Sequence, residues 1–141
     1  MKPGLFEMVE GRFHDGRPLS GVARSEYRIQ SIISNLNRLF NTRRGSIQHL
    51  PDYGLPDLST VYRDMPYSLE GLRRTVRLAV EQYEPRLRRV RVTQPDGEGL
   101  DPIHLRIRFI VTGDIARGER VEFETRFEPQ GGTQVDLHRE Y

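Results

Sequence analysis

The spacing of apolar residues changes once along this chain, at Pro85. That change sets the class of fold open to it. Before Pro85, apolar side chains recur every three or four positions. In residues 25–40, SEYRIQSIISNLNRLF, the side chains of Ile29, Ile32, Ile33, Leu36, Leu39 and Phe40 share one helix face. Ser25 is the expected N-cap, with Glu26 in the first turn. In residues 68–83, SLEGLRRTVRLAVEQY, the face is Leu69, Leu72, Val76, Ala79, Val80 and Tyr83. Arg73, Arg74, Arg77 and Glu81 lie opposite, and Ser68 is the expected N-cap. After Pro85 the period is two. Val90 and Val92 alternate with arginines. Ile103, Leu105, Ile107, Phe109 and Val111 alternate with His104, Arg106 and Arg108. Val121, Phe123, Thr125 and Phe127 alternate with Arg120, Glu122, Glu124, Arg126 and Glu128, and a short run at Val135 and Leu137 follows. PDGEG and GDIARGE supply turns. The expected fold is α+β. Two main helices, plus short helical turns, pack on one face of a three- to four-stranded antiparallel sheet, whose other face is charged.

The rest of the chain joins these elements. Residues 46–67 form a long connection in which Pro51, Gly54, Pro56 and Pro66 forbid a long helix. Asp57 is placed to cap a short helix through Val61 and Tyr62, and Leu50, Tyr53, Leu55 and Leu58 are expected to pack. Residues 1–24 carry an apolar cluster of Leu5, Phe6, Met8, Val9 and Phe13 among Gly and Pro. The expected layout is an N-terminal arm over 1–24 that docks on the core or on a partner, and one domain over 25–141.

Composition narrows the function classes. The chain has 141 residues, 35% of them apolar, and no cysteine. Disulfides and thiolate metal sites are excluded, and a reducing compartment is expected. No apolar run approaches the roughly 18 residues of a membrane span. The opening MKPGLFEMVEGRF lacks a signal-peptide pattern. The 22 basic residues, all but Lys2 arginine, nearly balance 20 acidic ones. Arginine pairs with carboxylates as readily as with phosphates. The four histidines, His14, His49, His104 and His138, show no metal-ligand spacing. There is no Gly-rich phosphate loop and no nucleophile elbow. An RNA-reading sheet would expose aromatics for stacking, whereas Phe109, Phe123 and Phe127 fall on the apolar face.

The triplet Glu84-Pro85-Arg86 sits on the change of period. Pro85 explains the boundary, because proline drives its predecessor out of helical conformation. It does not explain the acid. A helix C-terminus is the negative end of the dipole, so an acid there is disfavoured by about 0.3–1 kcal/mol. Three readings are open: a solvated helix end, a local pair with Arg86, or charges that face a partner.

Three stretches stand in a distinctive order: LFNTRRGS at 39–46, LPDYGLPDLS at 50–59 and YEPRL at 83–87. Together they resemble the TssE family of type VI secretion baseplate subunits, part of the phage baseplate-wedge family with a tail lysozyme-like label. The resemblance spans roughly residues 25–140. It implies a structural subunit, not an enzyme, with no catalytic residues, cofactor or metal. Such a subunit joins the wedge of a contractile-tail baseplate and initiates sheath polymerisation. The implied mechanism is strand addition, in which an open sheet edge accepts sheath-subunit strands. The resemblance further implies that Glu84, Pro85 and Arg86 bind partners inside the baseplate. The implied partners are wedge subunits of the TssF, TssG and TssK types and sheath subunits of the TssB and TssC types. Nucleic acid and direct membrane insertion are not implied. The subunit is expected to be a cytoplasmic monomer on its own, one copy per wedge, at the baseplate of a membrane-docked machine. Two other classes stay open: a peptidoglycan hydrolase, suggested by the family label, and an RNA-binding α+β module, suggested by the arginines.

Overall fold

A computed structural model describes residues 21–95, 100–101, 106–129 and 132–140. The expectations for residues 1–20 and for Ile103, His104 and Leu105 lie outside these.

Helix α1 runs Gly21–Phe40. It starts four residues before the expected cap, so Ser25 is inside the helix. Nothing between Gly21 and Ser25 breaks a helix, and Ala23 and Arg24 favour one. Its expected apolar face is buried at Ile29, Ile32, Leu36, Leu39 and Phe40, and Ile33 is half-buried. Helix α2, Ser59–Arg63, follows the long connection. Leu58, not Asp57, takes its N-cap position and makes no side-chain cap. Asp57 stands one residue earlier, where its Oδ1 accepts the Ser59 N–H at 3.0 Å, and that bond holds the Asp57 carboxyl below its usual range. Helix α3, Leu69–Tyr83, buries Leu69, Leu72, Val76, Ala79 and Val80. Ser68 stands at its N-cap position but makes no side-chain cap. Its hydroxyl instead donates to the Val61 carbonyl at 2.5 Å and ties α3 to α2.

Among the described residues, the sheet holds five antiparallel strands: β1 (Arg88–Thr93), β2 (Leu100–Asp101), β3 (Arg106–Asp114), β4 (Arg120–Glu128) and β5 (Gly132–Glu140). The spatial order is β1-β3-β4-β5, with the two-residue β2 also paired to β3. The main body is thus four strands, as the period-two runs predict. β5 is longer than the short run expected at Val135 and Leu137, because it pairs with β4 from Glu128 opposite Gly132 to Val121 opposite Glu140. One sheet face carries Val92, Ile107, Phe109, Val111, Val121, Phe123, Phe127 and Val135, all buried against the two long helices. Phe127 is its centre, with the rings of Phe40 at 6.2 Å and Phe109 at 5.7 Å. Tyr53, Leu55 and partly Leu58 of the connection join this core, but Leu50 is exposed.

The opposite face is a self-paired ion ladder. Arg108 stands directly opposite Arg126, a repulsive placement on its own. Each arginine reaches a diagonal acid instead. Arg108 donates to Glu124 at 2.7 Å, and Arg126 to Asp136 at 2.8 Å. Arg106 meets Glu128 at 3.0 Å.

A buried charge corner and two strapped sheet edges

α3 ends at Tyr83, and β1 begins at Arg88. Between them the chain turns at Pro85, which is exposed. Glu84, by contrast, is 1% exposed. Its Oε1 accepts Arg86 Nε at 2.7 Å, and its Oε2 accepts Asn35 Nδ2 at 2.9 Å and Arg86 Nη2 at 3.4 Å. Asn35 also donates to the Tyr83 carbonyl at 3.1 Å, which satisfies a helix-end acceptor. Arg86 Nη1 donates to Ser31 Oγ at 2.8 Å. Ser31 and Asn35 are one helical turn apart on α1, so the pair staples the α3–β1 corner to α1.

The solvated reading of Glu84 therefore fails, and the local pair is what the structure holds. Burial pushes the Glu84 carboxyl up, against the lowering effect of Arg86 and Asn35. A raised carboxyl suits a general acid. Glu84, however, is sealed from any substrate, so this carboxyl cannot serve glycoside chemistry.

The three family-like stretches meet beside this corner. Leu55 donates its N–H to the Thr42 carbonyl at 2.9 Å and accepts the Arg44 N–H at 2.8 Å. This bridge joins NTRRGS to DYGLP, and Gly54 between them has φ +110°. A Cβ at Gly54 would lie 2.2 Å from the Thr42 oxygen, so only glycine fits. Tyr53 then stacks edge-on against Tyr83 with ring centres at 5.0 Å, and burial pushes its hydroxyl up.

Both sheet edges are strapped by helix side chains, which the sequence reading missed. On β1, Arg73 Nη1 donates to the Val92 carbonyl at 2.9 Å. The β1–β3 pairing slips between Arg88 and Arg91, with Arg89 at φ +53°. On β5, Asn37 of α1 and Asn41, the residue just past its end, bond the strand backbone as a neighbouring strand would. Asn41 Oδ1 accepts the Thr133 N–H at 2.8 Å while its Nδ2 donates to the Thr133 carbonyl at 2.8 Å. Asn37 repeats this at Val135, at 3.0 and 3.4 Å. Each amide also donates to the carbonyl four residues back, Asn37 to Ile33 and Asn41 to Asn37. The available signal was Asn35 and Asn37 within α1 and Asn41 just past its end, three short amides where the chain is otherwise patterned for a helix face.

Phe109, Phe123 and Phe127 are fully buried, so they offer no stacking platform for RNA. Among the described residues, no group of three or more metal-ligating side chains gathers, and no helix is long and apolar enough to cross a membrane. His49 and His138 are exposed.

A family model described as baseplate wedge protein gp25 matches residues 26–119. Among solved structures, the chain is similar to a component of the baseplate complex from the type VI secretion system. The two are 29% identical with a TM-score of 0.63, over 76% of this chain and 98% of that one. It is also similar to a chain described as a "putative tail lysozyme from Geobacter sulfurreducens". That match is 18% identical with a TM-score of 0.48, over 78% of this chain and 93% of the other. No curated protein matches the chain.

Proposed function

The chain belongs to the baseplate wedge protein gp25 family and is a baseplate wedge subunit of a type VI secretion-like complex; from that premise, we propose that it initiates the sheath. The observation that carries the reading is the likeness to a chain of the type VI baseplate complex, 98% of which is covered. The role is structural: holding a sheet in place within the wedge and offering its edge to sheath-subunit strands. Backbone N–H and C=O groups at such an edge supply affinity, and alternating side chains set register. The sheath partners are of the TssB and TssC types, and the wedge partners of the TssF, TssG and TssK types. The chain acts in the cytoplasm as one copy per wedge, with residues 1–24 as a docking arm on the domain of residues 25–141.

The Glu84-Pro85-Arg86 corner is the proposed contact with the wedge. Pro85 is exposed and the Arg86 side chain keeps 16% of its surface. These two present the outer face of the corner, while buried Glu84 holds Arg86 in place. The test is reconstitution from purified subunits. Baseplates assembled with the chain should start sheath, and those without it should not. Arg86→Lys keeps the charge but loses the planar fork, and it should weaken co-purification with wedge subunits. Equal sheath growth without the chain refutes the initiation role. Unchanged co-purification refutes the corner contact.

A further inference from the structure

The two asparagines that bond β5 follow a rule that predicts a third rung. Four residues of helix rise about 6 Å, and two residues of strand advance about 6.7 Å. α1 and β5 run in opposite directions, so Asn41 meets Thr133 and Asn37 meets Val135. The next step pairs Ile33 with Leu137. Ile33 has no polar side-chain atom, and the amide ladder stops there.

Leu137 is left in an unusual state. It alternates with Thr133 and Val135, so its backbone groups point to the same outer edge. No side chain among the described residues bonds them. Its side chain belongs to the apolar face, yet it is 41% exposed, while its β4 partner Phe123 is fully buried. Just beyond it, the β4–β5 register shifts between Glu122 and Phe123, leaving His138 as the extra residue. Among the described residues, the β5 edge thus has a closed part, where side-chain amides occupy the place of a strand, and beyond it Leu137, whose backbone groups no such amide meets.

We infer that Asn37 and Asn41 act as a side-chain stand-in for a strand, so that an extended partner segment adds to β5 only from Leu137 onward. The segment sets an apolar side chain over Leu137 and beside Ile33. This rests on the reading that the chain offers a sheet edge, and it names which part of the edge and which register. The occupant must be peptide backbone, because the unfilled valences continue the rungs that the amides already fill.

Residue-resolved amide hydrogen exchange on the full chain tests this, first alone and then with purified sheath subunits. In the free chain, the Thr133 and Val135 amides should be protected and the Leu137 amide should exchange freely. Asn41→Ala should speed Thr133 exchange about tenfold, and Asn37→Ala should do so at Val135, with β4 amides unchanged. Alanine favours the helix at position 37, and Asn41 lies just past the helix end, so circular dichroism first checks that both variants fold. Sheath subunits should then protect Leu137 in the native chain, and should protect Thr133 and Val135 as well in the double variant. If Thr133 and Val135 exchange as fast as Leu137 in the free chain, the amide closure is refuted. If those two amides stay fast in the double variant while sheath protects Leu137, the asparagines do not set the boundary, and the edge reading survives. If sheath binds and no β5 amide gains protection, addition at β5 is refuted, and the inference goes with it.

Discussion

Glu84 and Arg86 pair across a single intervening residue, with Arg86 Nε donating to Glu84 Oε1 at 2.7 Å. The pair is unequal: the Glu84 side chain is 1% exposed and that of Arg86 is 16% exposed. Removing one partner of a buried pair leaves the other charge uncompensated, at about 3–5 kcal/mol. Arg86→Ala strands the deeper charge and should cost an amount in that range. Glu84→Ala strands a guanidinium that can reach water and should cost less. Urea unfolding at neutral pH measures both, and equal or reversed costs refute the asymmetry.

The same carboxyl gives the domain a pH dependence of definite sign. Burial raises the folded-state pKa of Glu84 above its ordinary 4.5. A group that binds its proton more tightly when folded stabilises the fold fully below its unfolded pKa, and that contribution is lost as pH rises through the folded value. Glu84→Gln removes the titration and keeps the shape. As pH is lowered from about 7 toward the ordinary value, the native chain should gain stability relative to Glu84→Gln. A relative loss over that window would show that Arg86 and Asn35 outweigh burial.

Thr125 is fully buried on β4, with Phe109 and Val135 as its cross-strand neighbours. Its hydroxyl has no hydrogen-bond partner among the described residues. An unsatisfied buried polar group costs about 1–3 kcal/mol, and valine matches the shape. Thr125→Val should therefore raise stability by about 1 kcal/mol, read as a higher urea midpoint at unchanged slope. Thr125→Ser, which keeps the hydroxyl and loses the methyl, should destabilise.

The sequence was most readable where burial is periodic. The core of α1 and α3, the inward residues of β3 and β4, and the corner at Pro85 all follow from spacing, because one face of each element must leave water. What was not readable lies in polar side chains that act across elements. Asn37 and Asn41 look like solvent-facing residues in a linear reading, since nothing local says that a strand 92 to 98 residues away will present its edge to them. Glu84 was legible as misplaced, but not as buried, for the same reason: Asn35 and Ser31, which enclose it with Arg86, come from the other helix. Leu137 kept the period of β5 yet stays 41% exposed, because the alternation records which face a residue takes and not how far the helices extend over it.

Gly132 and Asn41 should prove energetically coupled. Gly132 opens β5 at φ +78°, and a Cβ there would lie 2.8 Å from Asn41 Oδ1. Gly132→Ala therefore meets two separate costs. The left-handed backbone costs about 1–2 kcal/mol for any residue with a Cβ. The collision adds to it, because Asn41 can retreat only by giving up its bonds to the Thr133 N–H and carbonyl. Asn41→Ala removes the collision and leaves the backbone cost. Gly132→Ala should then be milder in the Asn41→Ala background than in the native one, by about 1 kcal/mol, within the usual range for contacting residues. A double-mutant cycle by urea unfolding reads this coupling directly. Strict additivity would mean that the Asn41 amide swings aside freely, and an amide that loose could not close the edge at Thr133.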